Sequence, residues 1–439
     1  MSKKTNVFVN FWEKRFTRPT VLTKPWKVFV EVSLSCNLRC ITCTHSKVIY
    51  GGIMKDNIFE RSKPVFSYAR IIHEVGFGEP FLNKTFLAKL EYLKKSDIFI
   101  DIITNGTLIT KQIAERLVAL QLDQVTFSID GGTKQTFEAI RVGARFSEVL
   151  ENIGTLHEIK IRERSNKPFM RVNFVAMRRN IHELPEMIRI LAKIGIKEIS
   201  VQNLSPQDSE AVKECLYYYD KDTVTQLLEE SRKVANQCRV NLIAPPYFPK
   251  LDVPPALQNL NELIEKKQEH IKCGAIALKS LFDENNDSKS IQDLITLITR
   301  TDGSTDGKQT DNGETCASGE ADKNKSVDST KVKICYEPWQ TIYVTYDGHV
   351  RPCCAMGESF GNLLDNSFEE IWNSKKFQLL RRTVNSKNPA FTECRNCYLR
   401  NKDVPLPFRT ALSMLIRSFV NLGFVNTTRR TIKYLIEYV

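Results

Sequence analysis

The sequence has no apolar run approaching the about 20 residues needed to cross a bilayer. Nor does an apolar signal core follow Met1-Ser-Lys-Lys-Thr. Both absences point to a chain without a spanning segment, working in the reducing cytoplasm. RNA- and DNA-binding motifs are missing, as is any basic stripe interleaved with aromatics. The formal charge of +12 over 439 residues is therefore read as a solvated basic surface, with no nucleic acid expected. Residues 301–330 hold no aromatic and no Leu, Ile or Met. Such a stretch buries too little apolar surface to offset its ordering entropy, so 274–333 is expected to be a disordered insertion. The chain does have 12 cysteines. They fall into C-x3-C-x2-C and C-x2-C clusters, the pattern of metal ligands rather than of a disulfide framework.

The first cluster ends an apolar, β-branched run, Lys27-Val-Phe-Val-Glu-Val-Ser-Leu-Ser-Cys36-Asn-Leu-Arg-Cys40-Ile-Thr-Cys43. A strand thus delivers a loop of thiols. Three thiolates do not close a tetrahedral zinc site and do not pair evenly into disulfides, but they can hold three irons of a cubane. A zinc loop completed by a distant ligand is the competing reading.

Downstream, strand-like and helix-like segments alternate. Strands are expected over 69–76, 98–104, 124–129, 170–176 and 198–202, and helices over 86–95, 111–120, 146–161 and 182–194. Six strands linked by right-handed crossovers make an α/β fold, a partial (β/α)6 TIM-like barrel, whose chemistry belongs at the carboxyl ends of the strands. The distinctive residues fall there: the three cysteines after strand one, Gly76, Gly78 and Glu79 after strand two, and Asn105 after strand three. Ser128 and Asp130 close strand four, and Asn180 follows strand five.

Beyond a helical stretch over 211–239 and a short strand over 240–244, the prolines of 245–255 mark a boundary. Two short strands around Asp347-Gly348 form a hairpin ending in Cys353-Cys354, and Cys394 and Cys397 form a C-x2-C loop. With Cys335, four thiolates from two loops suit an S4 site, zinc or iron–sulfur. Cys353 is preferred over Cys354. Cys215, Cys238, Cys273 and Cys316 stand alone and read as buried small hydrophobes.

The C-x3-C-x2-C loop after a first strand resembles the radical S-adenosylmethionine (SAM) superfamily. Cys335-x2-Pro338-Trp339, Asp347-Gly348-x-Val350-x-Pro352-Cys353-Cys354, Gly361-Asn362-Leu363, Glu370-Ile371-Trp372 and Cys394-x2-Cys397 are similar to its SPASM/twitch extension. The resemblance implies a [4Fe–4S] cluster on Cys36, Cys40 and Cys43 whose fourth iron chelates SAM, and an auxiliary [4Fe–4S] cluster on Cys335, Cys353, Cys394 and Cys397. It also implies SAM contacts by Gly76, Gly78, Glu79, Asn105, Ser128, Asp130 and Asn180, with Met177 near the adenine. Thr42 departs from the aromatic residue that many members carry before the third cysteine.

The implied reaction is reductive cleavage of SAM to a 5′-deoxyadenosyl radical that abstracts hydrogen, with the auxiliary cluster assisting oxidation. Peptide modification and dehydrogenation of a sugar or aminocyclitol both fit. The absence of a peptide-binding domain before the barrel favours a small or externally presented substrate, and flavodoxin or ferredoxin is the expected reductant. The alternative is a non-catalytic zinc- or iron–sulfur-binding scaffold. The expected organisation is a lead-in (1–26), a barrel (27–244), a linker and helix (245–273), the insertion (274–333), a SPASM/twitch unit (334–404) and basic amphipathic helices (405–439). That tail packs on the body or touches a membrane surface.

Overall fold

The computed structural model describes residues 1–43, 51–204, 209–216, 221–245, 334–395 and 397. The expected insertion, the C-terminal helices, Cys273 and Cys316 lie outside the described residues, as does all of the proline-rich linker except Pro245.

Seven parallel strands alternate with helices. They are β1 (Lys27–Val30), β2 (Ile71–Glu74), β3 (Phe99–Thr104), β4 (Gln124–Ser128), β5 (Phe169–Ala176), β6 (Glu198–Asn203) and β7 (Asn241–Ile243). The helices are α1 (Lys3–Arg15), α2 (Asp56–Phe66), α3 (Phe86–Lys94), α4 (Lys111–Ala119), α5 (Lys134–Ile140), α6 (Phe146–Arg162), α7 (Leu184–Lys193), α8 (Ser209–Glu214) and α9 (Lys221–Gln237). Burial in β5 alternates strictly, with Met170, Val172, Phe174 and Ala176 buried and their neighbours half-exposed. One face of the sheet therefore packs on helices while the other lines the barrel interior. Threonine side chains cap α4 and α5, where Thr110 and Thr133 accept from the backbone N–H groups of Ile113 and Thr136.

Past the linker come α10 (Glu337–Gln340), β8 (Thr341–Val344), β9 (Val350–Arg351), α11 (Phe368–Trp372), α12 (Lys375–Thr383) and α13 (Thr392–Arg395). The hairpin forms as expected, with Gly348 at φ 88° in its turn. The hairpin also joins the barrel sheet, because β8 pairs parallel with β1, Val28 opposite Ile342 and Val30 opposite Val344. The strand order is β7-β6-β5-β4-β3-β2-β1-β8-β9, so the six expected barrel strands, the short strand after them and the hairpin form one open sheet of nine strands. The lead-in contains α1, which lies against α10. No described helix is long and apolar enough to cross a membrane.

Candidate active site

The cysteine loop is tied down at both ends. Leu34 and Ser35 donate their backbone N–H groups to Gly52 O at 2.8 and 3.1 Å. Arg39 and Ile41 donate to Val142 O and Ile140 O, at the end of α5, at 2.9 and 3.0 Å. The loop thereby bends over the carboxyl ends of the strands. Cys36, Cys40 and Cys43 line one cavity of about 340 Å³ together with Gly76, Gly78, Glu79, Asn105, Ser128 and Asp130. Nine of the ten rim residues picked from the sequence meet there. Asn180 is fully buried outside the cavity wall: its amide donates to Asp130 O and Val175 O at 3.0 and 2.9 Å, and its carbonyl accepts from Met177 N at 2.7 Å. It fastens the end of β4 to the end of β5, and Met177 is buried beside it.

The three thiols feel one another. Burial pushes Cys40 up to about 11, with Asp130, Cys36 and Cys43 adding to the rise and Arg141 opposing it. Burial also raises Cys36, reinforced by Glu79 and Cys43. Donors are aimed at the sulfurs: Leu38 N lies 3.4 Å and Asn105 Nδ2 3.9 Å from Cys36 Sγ, and Arg141 Nη1 lies 4.0 Å from Cys40 Sγ. Mutually repelling thiols surrounded by N–H donors become stable thiolates when a polycationic metal core joins them. Three thiols among N–H donors are the donor chemistry that three corners of a cubane take, although among the described residues no three His, Cys, Asp or Glu stand as a ready-made site for a metal ion.

The glycine turn is pressed against that loop. A Cβ on Gly78 would meet Ser33 O at 2.2 Å and Ser35 O at 2.6 Å, and one on Gly76 would meet Glu31 Oε1 at 2.6 Å. Glu79 N then donates to Ser35 O at 2.8 Å. Its carboxylate caps the short 3-10 turn over Pro80–Leu82 and accepts from Thr104 Oγ1 and Asn105 N, both at 2.8 Å. Burial outweighs these bonds and pushes Glu79 up to about 7. A cation arriving in the cavity would find a carboxyl group poised to ionise.

Arg141, Val175, Asn203 and Leu204 also line the cavity, and sequence reasoning missed them. Arg141 Nη2 lies 2.6 Å from Asp130 Oδ2, with both side chains largely buried. A lone arginine after a short helix carries no motif, so only the fold could bring it to Cys40.

Cys335, Cys353, Cys354, Cys394 and Cys397 form a second group at the opposite end of β1. Burial pushes Cys335 up to about 12, with Glu337 and the thiols of Cys394 and Cys397 adding to it. Cys353 is raised by burial and by Cys354 and Cys335. Cys354 is the exposed member of the group. Beside it Lys27 Nζ, on the first residue of β1, pairs with Glu337 Oε1 at 2.9 Å. Buried thiols that charge poorly alone again suit a polycationic core. None of the ten described cysteines forms a disulfide.

Between the two thiol groups runs the interior face of the sheet, where Phe29, His73 and Asp101 stand side by side in register. The His73 ring stacks on Phe29 at 5.2 Å, and Phe29 stacks on Tyr343 at 6.2 Å. His73 Nδ1 is 3.2 Å from Asp101 Oδ2, and Thr126 Oγ1 donates to Asp101 Oδ1 at 2.9 Å.

A family model described as the radical SAM superfamily matches residues 30–191, and one described as an iron–sulfur cluster-binding domain, SPASM, matches residues 335–398. The chain belongs to the radical SAM superfamily and carries a SPASM domain; it is an enzyme with SAM and iron–sulfur clusters as cofactors. It is similar to the tungsten-containing aldehyde ferredoxin oxidoreductase cofactor-modifying protein of Pyrococcus furiosus, 26% identical over 85% of this chain and 87% of that one. It is also similar to the mycofactocin maturase MftC of Mycobacterium tuberculosis, 27% identical over 42% of this chain and 44% of that one. Streptococcus suis SuiB bound to SAM shares the fold, with a TM-score of 0.51 and 16% identity over 87% of this chain and 72% of that one.

Proposed function

We propose that Cys36, Cys40 and Cys43 hold the SAM-binding [4Fe–4S] cluster, and that Cys335, Cys353, Cys394 and Cys397 hold the auxiliary one. The enzyme then oxidises or cross-links a peptide or a cofactor precursor held between them. The observation that carries this reading is the placement of the two thiol groups at opposite ends of β1, with a barrel interior of aromatic and polar side chains between. When bound, the first cluster supplies the electron that splits the sulfonium and so starts hydrogen abstraction. The chain's own residues do the rest. Gly76 and Gly78 let the turn pack against Glu31 and the backbone of the cysteine loop, Glu79 takes the ammonium of SAM, and Asn105 and Ser128 offer polar groups along the rim. Arg141 and Asp130 hold the Cys40 side of the loop in place.

The names of the relatives support a maturation role, since one modifies a cofactor and another matures mycofactocin. Flavodoxin or ferredoxin is the proposed reductant, and the cytoplasm the proposed location. The test is anaerobic reconstitution followed by reduction in the presence of SAM. The wild-type protein should release 5′-deoxyadenosine, and the Cys36→Ala/Cys40→Ala/Cys43→Ala variant should release none. Equal release from both would sink the assignment.

A further inference from the structure

Helix α1 is amphipathic in the reverse sense. Its polar face is buried: Asn6 exchanges bonds with Lys24 N and O at 2.8 Å, and Asn10 Nδ2 donates to Trp339 O at 2.6 Å and to Thr23 Oγ1 at 2.9 Å. Glu13 Oε1 accepts from Leu22 N at 2.5 Å, and Lys14 Nζ donates to Gln340 Oε1 at 3.1 Å. These bonds fix the rotation of the helix and turn its large apolar side chains to solvent. Phe8, Trp12 and Phe16, spaced four apart, are 65, 45 and 64% exposed, and Leu22 beyond the helix is 82% exposed. Trp12 and Phe16 stack at 5.9 Å, which makes a ridge. A soluble body does not ordinarily present such a ridge without a use for it.

Charge names the partner. Lys4 and Arg15 are exposed on the same side of the helix, and Arg18 follows just beyond it. The single carboxylate in residues 1–26 is Glu13, and it points inward. Tryptophan and phenylalanine beside Lys4, Arg15 and Arg18, which pair with no carboxylate among the described residues, are the composition of a helix lying in a headgroup layer, apolar edge at the acyl boundary and cations among the phosphates. We propose that α1 docks the enzyme on an anionic lipid surface. The proposal rests on no part of the catalytic reading.

The test uses the full-length reconstituted protein, with vesicles of phosphatidylcholine alone or mixed with phosphatidylglycerol. Flotation should show binding to the mixed vesicles, weaker by about tenfold or more on phosphatidylcholine alone and for the Phe8→Ser/Trp12→Ser/Phe16→Ser variant. That variant changes solvent-facing side chains, so its unfolding temperature and iron content should match the wild type. Trp12 gives a direct readout, because the other three tryptophans, Trp26, Trp339 and Trp372, are at most 4% exposed. Mixed vesicles should move the wild-type emission to the blue and leave Trp12→Phe unmoved. The proposal is overturned if the wild type fails to float. It is equally overturned if the triple variant floats as well as the wild type, which would assign binding to the basic tail, or if the ridge instead drives self-association that the triple variant abolishes.

Discussion

Replacing Gly78 with alanine tests how the glycine turn and the cysteine loop depend on each other. The new Cβ would sit 2.2 Å from Ser33 O and 2.6 Å from Ser35 O, both backbone atoms of the segment that leads directly into Cys36. Neither can swing aside as a side-chain tip would, so turn and loop must part by about 1 Å, an overpacking cost of about 1–3 kcal/mol. The same movement breaks the Glu79 N to Ser35 O bond and carries Cys36 away from Cys40 and Cys43. A displacement of that size at a reacting centre costs about a hundredfold in rate. Gly78→Ala should therefore melt a few degrees lower, lose iron at the first thiol group only, and cleave SAM about a hundredfold more slowly. Gly51→Ala is the control, since its Cβ would meet nothing nearer than Ser35 Oγ at 3.8 Å. Iron and sulfide analysis, melting curves and 5′-deoxyadenosine release read all of this out. Wild-type iron content and rate in Gly78→Ala would refute the reasoning.

Other outcomes follow from the same geometry. Glu79 is raised from an ordinary 4.5 to about 7, so its contribution to stability is present below about pH 4.5 and is lost as pH rises through 7. The apoprotein should lose up to about 3 kcal/mol from this source over that window, and Glu79→Gln should flatten the decline in melting temperature while weakening SAM binding most above pH 7. Cys353→Ser should lose the auxiliary cluster and Cys354→Ser should keep it, because Cys353 is half-buried beside Cys335 while Cys354 is exposed; iron per chain checks this. Arg381 is 1% exposed, donates to Pro338 O and Pro19 O at 2.9 and 3.1 Å and lies over Trp372. Arg381→Met leaves those carbonyls without that donor and should cost about 2–4 kcal/mol in denaturant unfolding, with iron at the first thiol group unchanged.

The strands were legible as short alternating or apolar runs, β5 burying one face and β3, β4 and β6 burying both over most of their length. β5 alternates over its whole length, and β3 and β4 run from apolar cores into polar ends that reach the rim. The thiols could be read from their spacing and the glycine turn from its place after the second strand and its family resemblance, and the structure gathers them into one cavity. Three things were hidden for separate reasons. Helix α1 buries Asn6, Asn10, Glu13 and Lys14, so no inward-facing apolar stripe marks a helix within the lead-in. The pairing of β8 with β1 joins segments some 300 residues apart in the sequence, and no local pattern encodes that register. Arg141 reaches Cys40 and Asp130 only because α5 ends beside the cysteine loop. Asn180 shows the opposite failing: its position after β5 is as expected, but its amide is spent on backbone groups behind the cavity.

The most direct test of the central claim is electron paramagnetic resonance of the reduced, anaerobically reconstituted protein with and without SAM. The account predicts two [4Fe–4S] signals, of which one shifts on adding SAM and disappears in the Cys36→Ala/Cys40→Ala/Cys43→Ala variant while the other persists. Signals indifferent to SAM, or a SAM-sensitive signal that survives in that variant, would contradict it.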